Sequence, residues 1–167
     1  LRTKLFSEQS LHEVRISKFD MHQSALQAEV FGDTVFYLET EDVKRPFTPC
    51  ALYLDSEIAL IYLSPGDSLN IDIDYCSFKT GNVFSGSNAI INQYGNEKRN
   101  KFNESGRYKI VFAEKVENDR IEQLQSLYED QLTFLEYWKN DQELDDHFYN
   151  LEKRFIKYQY YYGLLTS

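Results

Sequence analysis

The hydrophobic period of this chain changes near Gly86, and that change limits its fold more than any other feature. Before Gly86, apolar and polar residues tend to alternate, which predicts β-strands. After Gly86, apolar residues recur every three or four positions, which predicts helices. Strands followed by helices favour the α+β class over an alternating parallel sheet. We therefore expect an antiparallel β-sandwich or curled sheet over residues 1–86, with a helical region over residues 87–167 packed on it.

The clearest predicted strand is Leu69–Asp74, because its apolar and polar residues alternate throughout. Pro65-Gly66 before it predicts a type II turn in which Gly66 takes a positive φ. Ala25–Phe31 and Thr34–Thr40 flank Gly32-Asp33, and this arrangement predicts a hairpin. Further strands are predicted at Val14–Ser17, Ala51–Leu54, Ile58–Leu63 and Phe78–Phe84, the last with a turn or bulge at Thr80-Gly81-Asn82.

The helical half is predicted to begin near Asn88, with Ser87 or Asn88 as the N-cap, and to break within 103–106. Two apolar stripes then predict an antiparallel helical hairpin, with a capping box at Asn140–Glu143 between its helices. The first stripe is Ile121, Leu124, Tyr128, Leu135 and Trp138, with Gln131 as its polar exception. The second stripe is Leu144, Phe148, Leu151, Phe155, Tyr158 and Tyr162. We expect the stripes to pack on each other; packing on the sheet or on a missing partner is the alternative.

The charge of the chain argues against nucleic acid as a partner, because a net charge of −9 repels a phosphate backbone. The densest basic stretch is Lys98, Arg99 and Lys101, and its acidic neighbours indicate a solvated helix face. No apolar run approaches the roughly 20 residues that cross a bilayer, so no transmembrane segment is expected. The sequence opens at Leu1 without an initiator Met, which is compatible with removal of a targeting segment.

A catalytic centre is not evident in the sequence. Cys50 and Cys76 do not form a CxxC motif, and two buried thiols are favoured over a disulfide between them. His12, His22 and His147 lie far apart, so surface or capping roles are expected rather than a metal site. Phosphate loops, dinucleotide fingerprints and nucleophile elbows are absent. We therefore predict no catalytic residue, no metal and no cofactor, and expect the chain not to be an enzyme.

Three acidic residues, Asp67, Asp72 and Asp74, are the strongest candidates for catalytic or metal-binding carboxylates. Asp72 and Asp74 are two residues apart on one predicted strand and so project from the same face. A calcium site or a glycosidase centre would need further ligands or a second carboxylate across a cleft. The solvent-facing interpretation is therefore favoured.

The segment Ile61–Asp74, followed by Phe84–Ala89 and Asn92–Tyr94, resembles the N-terminal region of TlpA-type, thioredoxin-like thiol–disulfide oxidoreductases of the bacterial envelope. In that family an apolar strand leads into a Pro-Gly-Asp turn, an alternating strand, a strand ending in Phe-x-Gly and a helix beginning near an Asn. The helices from Arg107 to Leu165 match the family's connector in length and position. The first sixty residues lack the family's Gly-Lys-Phe strand signature, and no CxxC-bearing domain is present, so no catalytic residue carries over.

The resemblance implies an exported protein of the cell envelope, periplasmic or anchored to the outer membrane by a lipid at a removed N-terminus. Its role would be to position a thioredoxin-like domain of the same polypeptide or to bind that domain's client protein. An envelope lipoprotein that binds a glycan or peptide through exposed aromatics is the alternative, and a self-standing enzyme is the third. Tyr160 and Tyr161 are the candidate docking surface, with burial in the core as the competing interpretation.

Overall fold

The computed structural model of the chain describes residues 2–6, 14–18, 29–31, 35–39, 43–54, 57–74, 82–104, 106–112 and 119–166. Contacts divide it into two compact units, Leu1–Glu97 and Lys98–Ser167. Strands come first and helices follow, which confirms the predicted α+β class. The predicted boundary at residues 86 and 87 marks the change from strand to helix; its standing as a domain boundary stays a prediction.

Two sheets make up most of the described part of the first unit. The strands are β1 (Arg2–Phe6), β2 (Val14–Lys18), β3 (Glu29–Phe31), β4 (Val35–Glu39), β5 (Thr48–Leu54), β6 (Glu57–Leu63), β7 (Leu69–Asp74) and β8 (Val83–Gly86). The five-stranded sheet has the order β3-β4-β1-β7-β8, and the three-stranded sheet has the order β2-β5-β6. Neighbours run antiparallel except β1 and β7, which pair in parallel. The larger sheet is therefore mixed, with one parallel pair in an otherwise antiparallel arrangement.

Strand β5 is covered on both faces. Cys50, Ala51 and Leu52 are consecutive and all buried, although successive strand residues point to opposite faces. Antiparallel pairing places Cys50 opposite Ile61 of β6, which is also buried. A central strand with two covered faces explains why this stretch of sequence is continuously apolar instead of alternating.

The turn before β7 forms as predicted. Gly66 has a φ of +78°, and the amide of Asp67 donates to the carbonyl of Ser64 at 3.2 Å, which closes the turn around Pro65 and Gly66. In β7, Leu69 and Ile71 are fully buried, as the alternation predicts. The strands on either side of Gly32-Asp33 pair antiparallel, while that turn and the predicted bulge at residues 80–81 lie outside the described residues.

The helical part of the chain starts with α1 (Ala89–Lys98), which continues into a π-helical segment, Arg99–Glu104. A 3-10 helix, Arg107–Phe112, precedes the two long helices α2 (Arg120–Asp141) and α3 (Asp146–Leu165). Within the part of the chain that the structure describes, no helix is both long and apolar enough to cross a bilayer.

Helices α2 and α3 form the predicted antiparallel hairpin. At one end, the buried guanidinium of Arg120 donates to the carbonyls of Gly163 and Thr166, each at 3.2 Å. At the other end, the Lys139 ammonium lies 2.5 Å from the Asp146 carboxylate. Cations near the carboxyl end of a helix offset its dipole, so Arg120 stabilises the end of α3.

The predicted capping box at Asn140–Glu143 is wrong. Helix α2 runs through Asn140 and ends at Asp141, and Glu143 has a φ of +55°. The N-cap of α3 is Asp145, whose carboxylate accepts from the amide of Phe148 at 2.9 Å. Asn140 and Asp145 are both residue types that favour the N-cap position. The turn at Glu143 separates the helices, so Asp145 becomes the N-cap of α3.

Candidate functional site

The turn before β7 is bonded to the start of α1 by a group of polar side chains, here called the turn–helix junction: Ser64, Asp67, Asn88 and Asn92. The Asn88 side-chain amide donates to the Asp67 carboxylate at 2.6 Å and to the Ser64 hydroxyl at 3.0 Å. The same carboxylate accepts from the backbone amide of Ser64 at 2.6 Å. Charge-assisted bonds of this kind are stronger than neutral ones, so Asp67 fixes the turn and the helix start together.

Asn88 directly precedes α1, and its carbonyl accepts the amide of Asn92 at 3.0 Å, the first bond of the helix. The residue itself has a φ of +55°, a conformation that asparagine tolerates better than most residues. Its position is the one that the sequence indicates for an N-cap. Its side chain, however, contacts the turn before β7, and this contact holds the helix against the sheet region.

Asn92 is fully buried and pairs with the backbone of Tyr62 in β6. Its side-chain oxygen accepts from the Tyr62 amide at 2.8 Å, and its side-chain nitrogen donates to the Tyr62 carbonyl at 3.0 Å. Among the described strands, β6 is an edge of the three-stranded sheet, with β5 on its other side. The amide of Asn92 therefore replaces a missing strand at this position, which also prevents edge-to-edge pairing there.

Two glycines let backbone and side chains approach closely beside the junction. Gly86 has a φ of +89°, and a Cβ at this position would lie 2.3 Å from the carbonyl oxygen of Ser68. A Cβ on Gly95 would lie 2.8 Å from the ring of Tyr62. Gly95, which weakens α1 by propensity, is thus explained by packing against that ring.

The turn–helix junction joins the segments that carry the resemblance, 61–74 and 84–94. Its polar contacts connect turn, strand and helix to one another, as structural contacts do. Asp67 therefore has a role within the fold. The side chains of Asp72 and Asp74 lie outside those that the structure describes.

A second polar cluster lies inside the second unit, where the Lys98 ammonium pairs with the Glu152 carboxylate of α3. Both side chains are less than a tenth exposed. The prediction of a solvated face for Lys98 is therefore wrong: this cation is buried, while Lys101 is exposed. Residues 54 positions apart form the pair, so spacing along the sequence could not reveal it.

The phenol of Tyr108 completes this cluster by donating to the Gln131 side chain of α2 at 2.6 Å. Burial works against the Lys98 charge, but the attraction of Glu152 and Tyr108 outweighs it and holds the pKa of Lys98 above its ordinary value. Burial raises the pKa of Tyr108, and the nearby Lys98 only partly opposes that change. Through charged and polar groups, the cluster joins Lys98, the 3-10 helix and both long helices.

Helix α3 does not bury the stripe that its sequence predicts. The buried face carries Phe148, Glu152, Ile156 and Gly163, with Leu144 buried just before the helix. The predicted stripe diverges from this face after Phe148. The stripe residues that follow Phe148 are exposed instead. Together with Leu165 they are here called the outer face of α3: Leu151 at 40%, Phe155 at 50%, Tyr158 at 64%, Tyr162 at 40% and Leu165 at 86% exposure.

The buried face of α2 agrees better with its predicted stripe. Leu124, Leu135 and Trp138 are buried, and so is the polar exception Gln131, whereas Ile121 is exposed. The sequence pattern missed Leu127 and Phe134. A Cβ on Gly163 would lie 2.7 Å from the Leu124 side chain, so the glycine lets the two helices pack closely there.

The two candidate docking residues have different surroundings. Tyr160 is half-buried: its ring stacks on Tyr128 with centroids 4.7 Å apart, and its hydroxyl donates to Gln125 at 2.7 Å. Tyr161 is 50% exposed, with the Lys157 ammonium 5.8 Å from its ring centroid. Tyr160 is therefore held within the hairpin and Tyr161 is accessible; docking by either residue stays a prediction.

The remaining candidates for chemistry are placed only in part. Cys50 is fully buried, with its Sγ 3.5 Å from the Thr48 carbonyl oxygen, while Cys76 lies outside the described residues, so their pairing stays a prediction. His147 is exposed beside the cap of α3. His12 and His22, like Cys76, lie outside the described residues. In the described ranges, no group of three or more His, Cys, Asp and Glu side chains is arranged to hold a metal.

Neither a protein-family model, nor a curated protein, nor a solved structure matches this chain.

Proposed function

We propose that the chain is a non-catalytic module that docks a protein domain on the outer face of α3. By the resemblance of residues 61–94, that domain is a thioredoxin-like domain of the same polypeptide or its client, and the protein belongs to the bacterial envelope. The observation that carries the proposal is the exposure of Leu151, Phe155 and Tyr158 on one face of a well-anchored helix. Contiguous exposed apolar residues on a soluble domain typically mark an interaction site.

The anchoring of α3 supports a binding role. Arg120 holds its carboxyl end and Asp145 caps its amino end, so the outer face is presented on a rigid element. A rigid surface loses less conformational freedom on association than a mobile one. Aromatic side chains, which dominate this face, are also enriched among the residues that contribute most binding energy.

We further propose that the two sheets of the first unit pack face to face as a sandwich. The burial of both faces of β5 supports this arrangement, because a half-exposed sheet would leave alternate residues in water. The turn–helix junction supports the resemblance, because it bonds the Pro-Gly-Asp turn to the helix that follows β8, and both belong to the segments that resemble the family.

A glycan- or peptide-binding envelope lipoprotein is the second candidate function. The exposure of Tyr158 and Tyr161 favours it, because aromatic rings offer flat apolar surfaces with a polar edge. The two candidates differ in what covers the outer face: a folded domain covers all of it, whereas a sugar covers one or two rings. They also differ in whether a CxxC-bearing domain follows Ser167 in the parent reading frame.

The test compares this chain with the complete translation product of its gene by hydroxyl-radical footprinting. We expect a CxxC in a βαβ context after Ser167, and oxidation of Phe155 and Tyr158 in this chain that falls severalfold in the complete protein. Tyr137, 53% exposed on α2, is the internal control that should stay reactive. The chain alone should not reduce insulin disulfides. A complete protein without a further domain, or one whose outer face stays reactive, would contradict the proposal.

A further inference from the structure

We infer that the partner element seated on the outer face of α3 is an amphipathic helix whose apolar stripe is flanked by carboxylates. This inference rests on the proposed function and adds the chemistry of the partner. Two independent features of α3 carry it: the spacing of the exposed apolar residues and the sign of the charges beside them.

The spacing of the outer face is that of a coiled-coil seam. Its residues follow one another at intervals of four, three, four and three positions, from Leu151 to Leu165. This repeat of seven residues keeps a narrow apolar seam facing a partner helix that crosses at a small angle. At 1.5 Å per residue the seam is about 20 Å long, which matches a partner helix of about four turns. A β-strand has a period of two and would not match these intervals.

The charges of α3 identify the flanks of that partner. After the buried Glu152, the only charged residues of α3 are Lys153, Arg154 and Lys157, all cations, in a chain whose net charge is −9. Lys153 is paired with Glu136 of α2 at 3.2 Å. Rotation by about 100° per residue places Arg154 about 60° from the centre of the seam, on the border away from the buried face, whereas Lys157 lies about 120° from that centre. Carboxylates on the flank of a partner helix would meet Arg154.

Other occupants fit this surface less well. A second copy of the chain would bring its own Arg154 to the flank of the same seam, and like charges across an interface are unfavourable. An anionic bilayer would attract the cations, but the net negative charge of the whole chain opposes its approach, and a bilayer requires no seven-residue repeat. Both occupants are distinguished by the experiment below.

The experiment titrates the folded chain into a fluorescently labelled synthetic helix that has Leu along its seam and Glu on both flanks. A second peptide differs only in carrying Lys in place of Glu, and both are used below the concentration at which they self-associate. We expect the Glu peptide to bind about tenfold more tightly than the Lys peptide. Arg154→Glu should weaken binding of the Glu peptide about threefold to tenfold, because a favourable pair becomes a repulsive one. Lys109→Glu, an equal charge change at an exposed lysine of the 3-10 helix, is the matched control and should change binding little.

Sedimentation of the chain, and its binding to vesicles of phosphatidylcholine with or without phosphatidylglycerol, complete the test. Equal binding of the two peptides, or binding of neither by a chain with native circular dichroism, overturns the inference. Dimers abolished by Tyr158→Ser would identify a second copy as the occupant, and binding only to anionic vesicles would identify a membrane. Reactivity of Phe155 that is already low in the monomeric chain would show that the chain itself covers the face. If footprinting still shows a domain on the outer face while the peptides fail, the proposed function stands and only the partner's chemistry is wrong.

Discussion

Lys98 and Glu152 form a buried ion pair that joins the residue just before the π-helical segment to the middle of α3. Breaking a buried pair by removing one partner strands the other charge away from water, and this typically costs about 3–5 kcal/mol. We therefore expect Glu152→Gln to lower the free energy of unfolding by about that much. The paired replacement of Lys98→Met with Glu152→Leu should recover most of the loss, because no buried charge remains. Urea denaturation measures both, with the exposed Glu122→Gln as control; equal losses for the single and paired variants would contradict the ion-pair account.

The same cluster predicts a loss of stability at alkaline pH. The pKa values of Lys98 and Tyr108 are both raised in the folded chain, so the folded state holds their protons more tightly than the unfolded state. Their contribution is fully present below about pH 10, where both groups are protonated in either state, and it is lost as pH rises through the folded pKa values. The free energy of unfolding, measured from pH 8 upward, should fall more steeply for the native chain than for the Lys98→Met, Glu152→Leu variant. Parallel curves would refute this coupling.

Asn92→Ala removes both bonds to the backbone of Tyr62. The amide and carbonyl of Tyr62 would lose these two part-buried bonds, and we expect a loss of about 0.5–1.5 kcal/mol for each bond. Gln93→Ala, on the more exposed face of α1, should change stability by less than about 0.5 kcal/mol. Thermal unfolding of the two variants provides the comparison, and equal melting temperatures would show that water replaces the Asn92 amide.

Gly86→Ala and Gly66→Ala separate steric conflict from backbone strain. Both glycines have a positive φ, which costs a residue with a Cβ about 1–2 kcal/mol. At Gly66 the added Cβ would meet nothing within 4 Å, whereas at Gly86 it would lie 2.3 Å from a backbone oxygen. We expect Gly86→Ala to cost at least about 1–3 kcal/mol more than Gly66→Ala in urea denaturation. A Gly86→Ala chain as stable as Gly66→Ala would mean that the contact between β8 and the Ser68 carbonyl relaxes freely.

Tyr160→Ser and Tyr161→Ser test the two rings individually. Tyr160 loses its stack on Tyr128 and its bond to Gln125, so its replacement should cost about 1–3 kcal/mol in the isolated chain. Tyr161 is half in solvent, and its replacement should stay within about 0.5 kcal/mol. Calorimetric melting distinguishes them. A large loss from Tyr161→Ser would assign that ring to the fold and remove it from any docking surface.

Local chemistry explains the features that could be predicted from the residues alone. Pro65 and Gly66 need only their own backbone preferences to form the turn, and the alternation in β7 determines which of its residues are buried. Apolar–polar alternation within each segment predicted the strands on either side of residues 32–34. The spacing of apolar residues every three or four positions predicted the two long helices and their hairpin. In these cases the residues that form the element are also the residues that carry the signal.

Tertiary contacts decided the rest. The parallel pairing of β1 with β7 joins residues that are far apart in sequence, and no pattern within either strand encodes it. The buried face of α3 was predicted from its largest apolar residues, yet Glu152 is buried and Tyr158 is exposed, because Lys98 neutralises the carboxylate and Gly163 lets α2 approach. The free energy of burying a charge depends on a partner contributed by another segment. The sequence alone therefore determined the change from strands to helices and most of the elements, whereas the packed structure decided the pairing of β1 and which face of α3 is exposed.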